Sequence, residues 1–279
     1  MTPSGTVLNA LTIDVEDWYH VCGEEERVSR LSPERRVRRN IELILDLLAE
    51  EGCVATFFML GSVAERDPGL LPLIAGAGHE IASHGYSHRL VSELDATAFR
   101  DELRRAADII GRQAQVVPAG FRAPRWSLSQ GTPWAFEILA NEGYLYDSSL
   151  NPLPFVGDRR GPRLPSRQTT TGGLLLELPP LVTPFFGFNL PTGGGWGFRF
   201  FPLSMIRSSI KRLNRQGAPA VLYLHPRELD PGGPRLTLSP LKSFVVYGPR
   251  SDARKRLRLL LRRFRFGTMR QLVEQWRSA

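Results

Sequence analysis

Short apolar, β-branched stretches alternate with longer amphipathic ones along most of this chain, and that alternation restricts the fold more than any other feature. VLNALTID (7–14), CVATFFML (53–60), HEIASHG (79–85), AGFRAP (119–124), YLYDSS (144–149), GLLLELPP (173–180) and PAVLYLHP (219–226) have the composition of strands. The segments between them carry apolar residues at helical spacing. SPERRVRRNIELILDLLAEEG (32–52) offers Ser32 as N-cap, Pro33 in the first turn and Gly52 as stop. In TAFRDELRRAADIIGRQA (97–114), Phe99, Leu103, Ala106 and Ile110 fall on one face. DPGLLPLIAGAG (67–78), TPWAFEILANEG (132–143) and FPLSMIRSSIKRLNRQG (201–217) read as further helices. About seven βα units in one chain predict a parallel sheet, open or closed into a barrel.

Two stretches break the rhythm. Residues 151–173 and 179–202 are dense in Pro and Gly and read as long loops. No segment reads as a linker and none repeats, so a single domain is expected over 1–279. With 42% hydrophobic residues the chain can bury one large core. It contains no run of about 18 apolar residues, so no membrane-spanning helix is expected. MTPSGTVLNALTID lacks a basic start and a long apolar core, which predicts no secretory signal and a cytoplasmic location. Cys22 and Cys53 stand apart without CxxC spacing, consistent with a reducing compartment. The net charge of +8 favours an anionic partner such as a lipid surface or an acidic glycan. No nucleic-acid-recognition motif is present, so nucleic acid is not an expected partner.

Four groups of polar residues fall at the ends of expected strands. LTIDVEDWYH (11–20) ends an apolar strand with Asp14, Glu16 and Asp17, acids that would repel one another if shielded from water unless a cation stood between them. His84 and His88 follow the third strand four residues apart; on a helical turn that spacing sets both imidazoles on one face, able to share a cation. Arg122 closes the fourth strand and His225 the last. Each has an ordinary structural explanation by itself. Together they occupy the C-terminal ends of parallel strands, the face on which βα folds place their chemistry.

This order of Asp-rich strand end, HxxxH, RxP and LxH resembles the polysaccharide deacetylase family, carbohydrate esterase family 4, over residues 8–230. DVEDWYH, FRAPRWSLS, YDSSLNP, LPTGGGWGFRFFP and LYLHPRELDP resemble the subgroup found with exopolysaccharide and exosortase gene clusters, and residues 231–279 match its C-terminal extension. The resemblance implies a distorted (β/α)7 barrel that removes acetyl groups from N-acetylated glycan sugars with a divalent metal, zinc above all. By it, Asp14 is the general base, Arg122 orients that base, His225 is the general acid, and His84 and His88 are metal ligands.

The third ligand is open. Most members carry a second Asp next to the first, and here Val15 stands in that place. Strand alternation puts Leu11, Ile13 and Val15 on one face and Thr12, Asp14 and Glu16 on the other, which favours Glu16; a turn at the strand end would deliver Asp17 instead. Asp147 either assists the site or caps a turn. His20 and His79 read as structural or exposed. Trp126 and Trp196 either rim a sugar groove or pack in the core, and Gly193 to Gly195 would let backbone approach a substrate. RKRLRLLLRRFRF (254–266) reads as a helix with Leu257, Leu260, Leu261 and Phe264 in a stripe, suited to packing on the barrel or to docking on an anionic membrane. Two other functions compete: hydrolysis of another amide or cyclic imide, and a catalytically silent glycan-binding protein on the same scaffold.

Overall fold

A computed structural model of the chain describes residues 7–25, 28, 34–129, 131–248 and 252–277. In chain order the strands are β1 (Asn9–Val15), β2 (Thr56–Met59), β3 (Glu80–Ser83), β4 (Gly120–Phe121), β5 (Tyr146–Asp147), β6 (Ser166–Thr170), β7 (Gly173–Glu177), β8 (Thr183–Phe185), β9 (Phe188–Leu190), β10 (Val221–Leu224) and β11 (Phe266–Gly267). The helices are α1 (Trp18–Cys22), α2 (Val37–Glu50), α3 (Gly61–Arg66), α4 (Leu70–Gly76), α5 (Ala96–Ala114), α6 (Pro133–Asn141), α7 (Gly195–Phe200), α8 (Leu203–Arg215), α9 (Pro240–Tyr247), α10 (Ala253–Leu261) and α11 (Met269–Arg277).

The strands read from the sequence run parallel in the order β10-β1-β2-β3-β4-β5-β7. Irregular backbone joins the two ends of this run. Leu178 N donates to Asp147 O at 2.9 Å, Leu181 N to Val221 O at 2.8 Å, and Tyr223 N to Gly193 O at 2.9 Å. The result is a distorted (β/α)7 barrel. Gly193 and Gly194 sit at this closure: a Cβ on Gly193 would come within 2.5 Å of Leu181 O, and one on Gly194 would collide with Tyr223 O. These glycines let strand backbones meet.

β6 pairs antiparallel with β7, and β8 with β9 forms a separate hairpin. Both lie in stretches read as loops. The expected cap Ser32 and the following Pro33 lie outside the described residues; residues 34–36 are not helical and α2 begins at Val37. Gly52, at φ 58°, ends this helix as expected. The C-terminal helix is shorter than its pattern. It stops at Leu261, and Phe266–Gly267 pair in parallel with Asn9–Ala10.

The alternation of β1 decides its packing. Leu11, Ile13 and Val15 face outward into a core shared with Ile41, Ile44 and Leu48 of α2, Ile206 and Ile210 of α8, and Leu257 and Leu260 of α10. On the inside, Ala10, Phe58, Ala82, Tyr146 and Val221 pack with Met269, Leu272 and Val273 of α11. Met269 N donates to Thr56 Oγ1 and Arg270 N to Glu80 Oε2, at the first residues of β2 and β3, so α11 plugs the N-terminal mouth. Polar side chains are left to the opposite mouth. Among the described residues no helix is long and apolar enough to cross a membrane.

Candidate active site

The ends of β1, β3, β4 and β10 bring Asp14, Glu16, His84, His88, Arg122 and His225 together. β1 ends at Val15, where the chain folds back: Glu16 N donates to Asp14 O at 3.0 Å. Both carboxylates then face His225, whose Nε2 lies 3.8 Å from Asp14 Oδ2 and 3.6 Å from Glu16 Oε1. Asp17, the alternative ligand, is turned away. Its Oδ1 accepts from Trp18 N at 2.9 Å and Arg36 N at 3.3 Å, so this side chain caps α1. His20 completes the cap by accepting from Asp17 N through Nδ1, which makes it structural.

His84 and His88 do meet, but not on a helical turn. Residues 84–90 form an irregular loop, with Gly85 at φ 75° and His88 itself at φ 67°. A β-carbon in that region costs of order 1 kcal/mol or more, so the loop holds His88 against local preference. His84 Nδ1 lies 2.8 Å from the carbonyl of Arg122, which can only accept; the ring proton is therefore on Nδ1 and Nε2 presents a lone pair. His88 Nδ1 lies 2.5 Å from Glu25 Oε1. A carboxylate or carbonyl behind each imidazole is the arrangement that orients histidine toward a metal.

Glu16, His84 and His88 are the one group of potential ligands found among the described residues. Glu16 Oε2 lies 2.7 Å from His88 Nε2 and 3.9 Å from His84 Nε2. That oxygen is buried and makes no well-formed hydrogen bond. Two imidazoles and a carboxylate that converge in this way fit a cation, whether a proton or a metal ion, and these residue types suit a transition metal. The electrostatics agree. Burial disfavours ionised Glu16, but His88, His225 and His84 outweigh it and hold its carboxyl well below the usual range. Burial opposes a charged His88 as well, yet Glu16 and Glu25 push its pKa up to about 9. Burial lowers that of His84, keeping a lone pair available. The pocket favours one positive charge between Glu16 and His88.

Arg122 is fully buried and crosses the barrel interior. Its Nη1 donates to Asp14 Oδ1 at 2.7 Å and Thr12 Oγ1 at 2.8 Å; Nε and Nη2 donate to Ser148 O and Oγ at 3.1 and 2.8 Å. The guanidinium stands 4.1 Å from the ring centre of Phe58 and 5.1 Å from that of Trp126. Trp126 is thus a buried wall over Arg122, whereas Trp196 packs among Phe200, Phe201 and Phe244. Asp147 does not reach the cluster. It accepts from Ser149 Oγ at 2.5 Å and lies buried beside Glu177, supporting the segment that grips Arg122.

Sequence reasoning missed two carboxylates. Glu228 Oε1 lies 3.2 Å from His225 Nδ1, three residues on along a 3₁₀ turn. That spacing in LYLHPRELDP was a usable signal. Glu25 gave none, since 63 residues separate it from His88.

The family model of polysaccharide deacetylase matches residues 29–142, and a domain of unknown function (DUF3473) matches 148–274. His84, His88 and Arg122 fall in the first match, His225 falls in the second, and Asp14 and Glu16 precede both. A peptidoglycan-N-acetylglucosamine deacetylase from Bacillus cereus is 34% identical over 120 residues, 39% of this chain and 44% of that protein. A chitooligosaccharide deacetylase from Bradyrhizobium sp. is 32% identical over 82 residues, 29% of this chain and 37% of its own length. The chain therefore spans less than half the length of these curated relatives. A solved structure assigned as a polysaccharide deacetylase from Mycobacterium smegmatis superposes with a TM-score of 0.69 at 24% identity, over 100% of this chain and 93% of that one, a likeness of fold.

Proposed function

We propose that this chain, whose residues 29–142 match the polysaccharide deacetylase model, removes N-acetyl groups from sugars of an exopolysaccharide or its lipid-linked precursor, in a metal-dependent hydrolysis. One observation carries the proposal. The Asp14 oxygen that Arg122 leaves free and His225 Nε2 lie 3.8 Å apart, beside the Glu16–His84–His88 trio.

Amide hydrolysis needs an activated water, a stabilised acyl oxygen and a proton for the departing nitrogen. A divalent ion held by Glu16, His84 and His88, for which zinc is the best match to the donors, would acidify the water and polarise the acyl oxygen. Asp14 Oδ2 takes the proton from that water, while Arg122 on Oδ1 fixes the orientation of the carboxylate. His225 Nε2 gives its proton to the sugar nitrogen as the C–N bond breaks, yielding acetate and a free amine. Burial works against a charged His225, but Glu228, Glu16 and Asp14 outweigh it and raise its pKa, so the ring holds the proton it must deliver.

The test is acetate release from N-acetylated oligosaccharides and exopolysaccharides, with and without chelator. Release is expected to cease with chelator, return with zinc, and be lost in Asp14→Asn and His225→Ala. Retained activity in Asp14→Asn, or no acetate from any N-acetylated glycan with metal supplied, overturns the proposal. We also assign the protein to the cytoplasmic face of an anionic membrane. The net charge of +8 and the exposed Lys255, Arg262, Arg263 and Arg265 support that place. Failure to sediment with anionic vesicles at low salt removes it.

A further inference from the structure

Glu228 has a second neighbourhood. Besides touching His225 it lines a cavity of about 270 Å³, whose walls also include Arg199, Arg227, Arg235, Asp230 and Tyr247. These residues fall within the stretch matched by the domain of unknown function. The space is below the about 300–1,000 Å³ of pockets for drug-sized ligands and suits a single sugar ring.

Positive charge is concentrated here. The guanidinium groups of Arg227 and Arg235 stand 4.9 and 5.1 Å from the ring centre of Tyr247. Arg227 Nη1 donates to Val246 O at 2.9 Å, and Arg199 Nη2 donates to Val245 O at 3.0 Å. Among the described residues neither Arg227 nor Arg235 has a carboxylate within ion-pair distance. The acids in the walls are engaged elsewhere. Asp230 pairs with Arg36 through both oxygens at 2.5 and 3.0 Å, Asp252 caps α10 at Lys255 N, and Glu228 Oε1 serves His225. Three buried atoms of lining residues have no hydrogen-bond partner: the donors Arg227 Nε and Arg254 Nε and the acceptor Glu228 Oε2. Burial lowers the pKa of Arg227, the mark of a cation short of compensation. An anion would supply the missing acceptor, and a hydroxyl beside it the missing donor.

We propose that this cavity is a subsite for an anionic sugar residue of the glycan, its carboxylate or phosphate on Arg227 and Arg235 and a hydroxyl donating to Glu228. The inference rests on the deacetylase reading in one respect, that the acid-bearing residue belongs to the polymer whose N-acetyl group lies at His225. It narrows the substrate to acidic glycans.

Isothermal titration of the metal-loaded protein with glucuronate, glucose 1-phosphate and glucose tests it. At least one of the two acids is expected to bind tenfold or more tightly than glucose, and the tighter one identifies a carboxylate or a phosphate as the natural group. Arg227→Gln and Arg235→Gln should each weaken that binding about tenfold. Because the Arg235 side chain is exposed, its variant stays informative if Arg227→Gln fails to fold. Acids that bind no better than glucose, or an Arg235→Gln protein that binds them like wild type, overturn the subsite. Acid binding is also read in Asp14→Asn. If it persists while no glycan releases acetate from the wild type, the deacetylase reading fails and the binding site stands.

Discussion

Replacing Arg122 by Met tests whether the barrel is organised around this ion pair. Arg122 has no solvent exposure, and all of its side-chain hydrogen bonds go to Asp14, Thr12 and Ser148. Met keeps much of the volume between Phe58 and Trp126, so the change removes charge and donors more than packing. The Asp14 carboxylate, 3% exposed, is left without its cation. Breaking a buried pair on one side costs about 3–5 kcal/mol, a fifth or more of the roughly 5–15 kcal/mol stability of a typical domain. Urea unfolding measures this as a lowered midpoint at unchanged slope. Asp14→Asn in the same chain removes the stranded charge, so the double variant should be more stable than the sum of the single losses by about 2–3 kcal/mol. A loss below about 1 kcal/mol for Arg122→Met, or losses that add within about 0.5 kcal/mol, would refute the reasoning.

Three further outcomes are expected. Glu16→Gln should purify without stoichiometric metal, whereas Asp17→Asn should keep its metal and lose only about 1 kcal/mol through a weaker helix cap; metal analysis and unfolding curves of both proteins decide. Glu25→Gln should lower metal affinity about 10–100-fold in competition with a chelator, because it weakens the acceptor that orients His88. The third outcome concerns pH. Burial pushes the carboxyls of Glu177 and Asp147 up, Glu177 well above the usual range with the Asp147 charge adding to it, so the folded protein keeps a proton that the unfolded chain loses. The stability from this pair is whole below the unfolded carboxylate value of about 4 and is lost as pH rises through the raised folded value. Glu177→Gln should flatten the fall of Tm across that window, and parallel Tm profiles for the two proteins count against the pair.

Much of the architecture was legible because periodicity is local. The apolar face of β1 and the stripes of α2, α5 and α8 can be read from nearest neighbours, and they brought Asp14, His84, Arg122 and His225 to one mouth of the barrel. Legibility failed where two local signals compete. Gly and Pro punctuate loops and hairpins alike, which hid β6 and the β8–β9 pair. RRFRF continues a helical charge pattern, but Phe266 gains more by pairing beside Asn9 than by another helical turn.

The sequence by itself determined which faces are buried, a parallel sheet of βα units and the chemical types that meet at its C-terminal edge, since these follow from spacing along the chain; the barrel was implied by the family resemblance. Only the tertiary structure decided that Glu16 faces the histidines while Asp17 caps a helix, that His88 arrives by a left-handed loop rather than a helical turn, and that Glu25 and Glu228 stand behind the imidazoles. Those outcomes depend on which buried charge finds a partner, and in a folded protein that partner can come from any distance along the chain.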